Sequence, residues 1–263
     1  MTADVGVIGG SGFYSFLEDV EVRNVETPYG DPSGPLTIGT LDGRGVAFLP
    51  RHGVAHEYPP HRIPYRANLW ALRAVGVRQV LGPCAVGSLH PDIGPGVVVL
   101  PDQLVDRTSG RTQTFYERGA VHVEFAEPYC RAVQQAVLRS AADRGEAVRS
   151  GGTMVVIEGP RFSTRAESRW YAAQGWSLVN MTGHPEAVLA RELGLCYAAI
   201  ALVTDYDAGA RDGDAAVTQE EVFRVFGENV NRMRELLRAV VPTLPRERDC
   251  ACSHALDGIA IPE

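Results

Sequence analysis

Apolar runs alternate with stretches of helical periodicity along the whole chain. Residues 5–8, 46–49, 80–85, 97–100, 153–157 and 196–204 are continuous apolar runs closed by Gly, Pro or polar residues, and read as buried strands. Residues 176–181 read as a further strand. Residues 64–74 and 131–142 space their apolar side chains three and four apart, as amphipathic helices do, and 184–193 reads as another helix. Thr164 with Glu167, and Thr218 with Glu221, fit the capping-box pattern and predict helices running to residue 173 and to about residue 241. From Pro242 the chain reads as irregular, which divides it into a domain over 1–245 and a tail over 246–263. With no internal repeat and no linker, the alternation predicts a single-domain α/β fold: a central mixed β-sheet flanked by helices. In such sheets ligands gather beyond the strand ends. Five polar motifs follow strands here, at 9–12, 51–52, 84–88, 180–182 and 205–207, and are expected to converge on one site.

Composition narrows the function classes. The 263 residues are 45% hydrophobic and 22% charged, as in ordinary globular proteins. No run nears the ~18 apolar residues of a membrane span, and the start MTADVGVIGG lacks the basic, then apolar, pattern of a secretion signal. A cytoplasmic location without a membrane partner is expected. A net charge of −7 argues against general affinity for nucleic acid. The chain contains no lysine, which excludes Schiff-base chemistry and a P-loop lysine. An anionic substrate must therefore be held by Arg, His, hydroxyls and backbone N–H groups.

The motifs carry different weight. IGGSGF at 8–13 lacks the third glycine of a dinucleotide fingerprint, because Ser15 stands there. Its adjacent glycines and Ser11 still suit either an anion or a plain strand-to-helix turn. Arg51 offers a planar cationic fork and His52 a ring nitrogen after one strand, though a surface turn has the same appearance. His52, His56 and His61 are interrupted by Pro59 and Pro60, so no metal is expected there. Asp205 and Asp207 close the most apolar strand, where burial raises a carboxyl pKa and fits it for acid catalysis; a solvated loop pair is the plainer alternative. Met181, between Asn180 and Thr182, suits an amphipathic ligand. Cys84, Cys130 and Cys196 each sit singly in apolar surroundings and read as small core residues. Cys250 and Cys252 lie beside His254, as an exposed reduced pair, a strained disulfide or ligands of a metal.

Taken in order, IGGSG, RHG, YRANLWAL, AVGSL, PDQLVDRTSGRTQTFY, GTMVVIEGPRFSTRAES, NMTGHPE and TDYD resemble the methylthioadenosine phosphorylases of the trimeric purine nucleoside phosphorylase superfamily, over about residues 4–241. The resemblance implies phosphorolysis of 5′-methylthioadenosine to adenine and 5-methylthioribose 1-phosphate. It implies phosphate as co-substrate, no metal or organic cofactor, and a homotrimer whose sites lie between subunits. Carried over residue by residue, it places Ser11, Arg51, His52, Ala85 and Thr182 around phosphate. Phe162 and Ser163 lie along the base, with Asp205 at purine N7 and the 6-amino group and Asp207 supporting it. Asn180 and Met181 fall beside the sugar. His56, Gln219, Val222 and a neighbouring subunit's His122 fall around the 5′ substituent. Cys84 departs from the family, many of whose members carry a better hydrogen-bonding side chain there. A polar Gln219 fits a broader 5′ tolerance: adenosine, a 5′-halo nucleoside, methylthioinosine or inosine. Two other classes compete: a nucleoside-binding protein without catalysis, and a dinucleotide-dependent dehydrogenase, the latter disfavoured by Ser15.

Overall fold

The computed structural model describes residues 2–10, 17–210 and 217–259. Ser11 lies outside the described residues. The strands are β1 (Val5–Gly9), β2 (Glu18–Arg23), β3 (Leu36–Leu41), β4 (Arg44–Pro50), β5 (Gln79–Ser88), β6 (Val98–Leu100), β7 (Gln103–Arg107), β8 (Val148–Ser150), β9 (Thr153–Ile157), β10 (Leu178–Asn180) and β11 (Cys196–Tyr206). The helices are α1 (Tyr65–Ala74), α2 (Arg131–Asp143), α3 (Arg165–Ala173), α4 (Gly183–Glu192), α5 (Gln219–Thr243) and the single turn α6 (Ala251–His254). None is long and apolar enough to cross a membrane.

One mixed sheet runs β2-β3-β4-β1-β5-β10-β9-β7, and β11, β6 and β8 branch from β5. β11 is the spine of the core. Its odd residues Tyr197, Ala199, Ala201 and Val203 pack with Leu69 and Leu72 of α1 and Leu189 of α4. Its even residues Cys196, Ala198, Ile200 and Leu202 pack with Val133 and Val137 of α2 and Met233 and Leu237 of α5. Both faces are covered, so the strand is apolar at every position from Cys196 to Val203, as buried parallel strands are.

β5 is where the sheet divides. Along one edge it pairs with β11 from Gln79 to Ser88. Its other edge pairs with β1 only as far as Leu81, and with β10 only from Gly87. The opening between them exposes carbonyls that must find partners, because an unpaired buried C=O is costly. Side chains fill it: Arg51 Nη1 donates to Pro83 O at 2.8 Å and Asn180 Nδ2 to Ala85 O at 3.0 Å.

Three expectations are corrected. α5 continues past Pro242 to Thr243: Pro242 cannot donate to the carbonyl four residues back, but buried Val240, Val241 and Leu244 hold this last turn on the core. Residues 176–181 contribute only the three paired residues of β10. Cys130 and Cys196 are not isolated, because both meet Cys250. The capping box at Thr164 is complete, and Thr218 Oγ1 accepts from Glu221 N at 3.3 Å.

Candidate active site

The opened edge of β5 carries the site, and its groups follow one another along that strand. At Pro83 stands Arg51, just beyond β4 and only 3% exposed. Its Nε and Nη2 form a two-toothed bond with Glu186 at 2.8 Å each, and Nη2 also donates to Ile8 O at 2.8 Å. Tyr197 Oη donates to the same Glu186 at 2.7 Å. Burial opposes the charge on Arg51, but the Glu186 carboxylate outweighs it and holds the guanidinium protonated. Four of its N–H groups are used, which leaves one Nη1 hydrogen for a ligand. Cys84 is buried beside it, and burial pushes its thiol up to about 12, so it remains neutral and a weak donor.

His52 lies next to Arg51. Its Nδ1 sits 2.9 Å from Tyr58 O, which requires the proton on Nδ1 and leaves Nε2 as an acceptor when the ring is neutral. The ring is neutral at physiological pH: burial, helped by Arg51 and His56, lowers its pKa to about 4 against the Tyr58 carbonyl's pull. His52 stacks on His56 with centroids 4.6 Å apart, and His56 meets the edge of Phe223 at 5.9 Å. This string ties the loop after β4 to the first turns of α5.

At Ala85 the turn from β10 into α4 approaches. Asn180 Oδ1 accepts from Thr182 N at 2.8 Å and Gly183 N at 2.6 Å, while its amide donates to Ala85 O. Asn180 is thus a brace that fixes Met181 and Thr182 against β5. Gly159, at φ +66°, makes room for Met181: a Cβ there would stand 2.7 Å from Met181 Sδ.

At Gly87 stand the two aspartates. A β-bulge between Val203 and Asp205 turns the end of β11 so that Asp205 lies opposite Gly87. A Cβ at Gly87 would be 3.0 Å from Asp205 Oδ2 and 3.5 Å from Asp207 Cβ, so any side chain there would press on Asp205. Burial raises the Asp205 pKa to about 6, against the Thr204 hydroxyl bond of 2.7 Å, with Asp207 and Glu221 adding to the rise. Burial also raises Asp207. Asp207 Oδ2 and Ser163 Oγ are buried without a well-formed hydrogen bond.

Arg51, His52, Ala85, Asn180, Met181, Thr182, Asp205 and Asp207 therefore line one edge in order. Ser163 reaches Asp207 from the turn before α3. Phe162 is half-buried on that turn. His56 and Gln219 are exposed and Val222 half-buried at the rim. His122 is exposed on a long loop. Sequence reasoning missed two structural supports. Glu186 anchors Arg51; its signal was one acidic residue in the first turn of α4. Arg111 donates to the carbonyls of Met181, His184 and Glu158 at 2.9, 2.6 and 2.6 Å, joining the turns after β9 and β10. Its signal was one arginine in the polar segment after β7.

A family profile, the phosphorylase superfamily, matches residues 4–242. The chain is 58% identical to a purine nucleoside phosphorylase of Streptomyces coelicolor, covering 98% of this chain and 95% of that one. It is 59% identical to an S-methyl-5′-thioadenosine phosphorylase of Mycobacterium tuberculosis, covering 98% and 96%. Among solved structures it resembles a methylthioadenosine phosphorylase from an antarctic soil metagenomic library, with TM-score 0.92 and 39% identity over 98% of this chain and 92% of that one. It also resembles the Schistosoma mansoni methylthioadenosine phosphorylase in complex with adenine, with TM-score 0.89 and 38% identity over 94% and 93%.

Proposed function

The chain belongs to the phosphorylase superfamily, and we propose that it cleaves 5′-methylthioadenosine with inorganic phosphate, giving adenine and 5-methylthioribose 1-phosphate. The observation that carries this reading is the order of groups along β5: a cationic, neutral-histidine end at Pro83, a braced polar turn at Ala85 and a carboxyl pair at Gly87. A phosphate, a ribose and a purine placed end to end need those chemistries in that order.

In the proposed reaction a phosphate oxygen attacks the anomeric carbon as the bond to purine N9 breaks, through an oxocarbenium-like transition state. Arg51 supplies the phosphate with its remaining N–H. His52 Nε2 accepts from a protonated phosphate oxygen. The backbone at Ala85 and the Thr182 hydroxyl complete the cradle on this side, with Ser11 expected to add its hydroxyl. Met181 packs on the sugar, and Phe162 and Ser163 flank the base. Protonated Asp205 donates to N7, which takes up the electron pair left by the broken bond, and its other oxygen accepts from the 6-amino group. Asp207 supports Asp205. A C–N bond is exchanged for a C–O bond with no change of oxidation state, so the reaction calls for no organic cofactor. The reading includes a cytoplasmic homotrimer in which a neighbour's His122 closes the 5′ end of the site beside His56, Gln219 and Val222.

A second reading, a purine nucleoside phosphorylase with wider 5′ tolerance, is favoured by the exposed Gln219 and by the relative of that name. Measuring phosphate-dependent kcat/KM on methylthioadenosine, adenosine, methylthioinosine and inosine separates the two. The expected order puts methylthioadenosine first and both 6-oxopurines last. A preference for inosine overturns the adenine assignment.

A further inference from the structure

Four of the five cysteines meet at one point, at the end of β11 remote from the aspartates. Cys130 precedes α2, Cys196 begins β11, and Cys250 and Cys252 flank the start of α6. Their four Sγ atoms all lie within 4.8 Å of one another. Cys196 Sγ and Cys250 Sγ are 3.4 Å apart, and Cys130 Sγ and Cys250 Sγ 3.9 Å. A tetrahedron of sulfurs about 2.3 Å from a zinc ion has edges of about 3.8 Å, so the cluster already has the dimensions of such a site. His254, which the sequence suggested as a ligand, pairs with Asp257 instead.

A second observation is the charge around the sulfurs. Arg191 is 4% exposed and donates to Cys252 Sγ at 3.6 Å. Its other bonds go to the carbonyls of Glu124 and Glu127. Arg248 donates to Cys196 Sγ at 3.8 Å and to Gly194 O. Neither has a carboxylate partner among the described residues; Arg248 is half-buried, but Arg191 is buried, and a buried cation needs an anion. Neutral thiols do not supply one. Four thiolates around a divalent ion leave two negative charges, which two guanidiniums balance while hydrogen-bonding the sulfurs from outside. A cavity of 220 Å³ lined by Gln79, Cys130, Cys196, Pro245, Arg248 and Cys250 gives the ion an entry path.

We propose that Cys130, Cys196, Cys250 and Cys252 bind one zinc ion, which fastens the C-terminal segment to the base of the sheet. The site has no open position and serves structure. Asp205 stands nine positions after Cys196 along β11, about 30 Å at strand rise, so catalysis does not depend on it.

The test uses the full chain, expressed with zinc in the medium and purified under reducing conditions without chelator. Elemental analysis should give about one zinc per chain. Cobalt exchanged into the wild-type protein should show the intense sulfur-to-metal absorption of tetrahedral thiolate ligation. Cys250→Ser and Cys252→Ser should each lose most of the zinc and lower Tm by about 5 °C or more, with kcat unchanged. The proposal is overturned if the reduced protein takes up neither zinc nor cobalt, if an intact mass short of four hydrogens reveals two disulfides, or if both variants keep full zinc. Should a variant fail to fold, the cobalt spectrum of the wild type still decides.

Discussion

Asp205 shows most directly what burial does to one side chain. Its pKa of about 6 means that folding places an acid where water solvates the anion poorly. Because the folded pKa lies above the unfolded one, the folded state binds the proton more tightly, and stability falls as pH rises from about 4 to about 6. The loss amounts to about 3 kcal/mol at most and persists at neutral pH. Asp205→Asn removes that cost. At pH 8 the variant should melt higher than the wild type, and the gap should close as pH falls below 5; thermal unfolding at the two pH values reads this. The same variant should lose about 10²-fold or more in kcat on 6-aminopurine nucleosides, the scale of a lost general acid. Losses on 6-oxopurines should be smaller. A variant that is both less active and less stable at pH 8 contradicts the assignment.

At the scale of elements, the site exists because β5 loses one neighbour before gaining the next. The polar groups Arg51 and Asn180 fill a gap in a hydrogen-bond ladder and are held rigid by doing so. Gly87 is the place where this arrangement tolerates least change. In Gly87→Ala the added methyl presses Asp205 Oδ2 from 3.0 Å, tighter than ordinary contact. The aspartate must shift by a few tenths of an ångström, while the backbone of β5 stays paired with β11. The expected result is a fall in kcat of about tenfold or more with a destabilisation of only about 1–2 kcal/mol. Steady-state kinetics and a denaturant melt on one preparation measure both. Unchanged kinetics would detach the aspartate pair from the chemistry.

At the scale of the molecule, the rim of the site is open. His56, Gln219 and His122 are exposed in the single chain, and Val22, Val54, Trp170 and Phe223 are large apolar side chains left in solvent. A nucleoside's 5′ end held only by this rim would face water. The homotrimer proposed above closes it from a neighbour. Light scattering should give about 85 kDa for three chains of 28.4 kDa. His122→Ala should raise KM for methylthioadenosine several-fold while the trimer stays intact. A fully active monomer rules out a shared site.

The sequence by itself determined the sheet's buried strands, the helices that flank it and the motifs at the strand ends. These follow from local rules: β11 is apolar on both faces, α1 and α2 have a helical stripe, and α3 has its cap. It did not reveal β2, β3, β7 or β8. β2 (EDVEVR) is mostly solvent-facing, and a strand exposed on one edge need not carry an apolar run. Nor did it reveal Glu186 beneath Arg51, or Arg111 between two turns, since their partners lie 135 residues away and up to 73 residues away. The clearest case is Cys130 and Cys196, which read singly as core residues. Only the return of the C-terminal segment, 120 residues after Cys130, sets four sulfurs and two arginines together. Periodicity is written in neighbours along the chain, whereas a site is built from charges and donors that meet only after the sheet has closed.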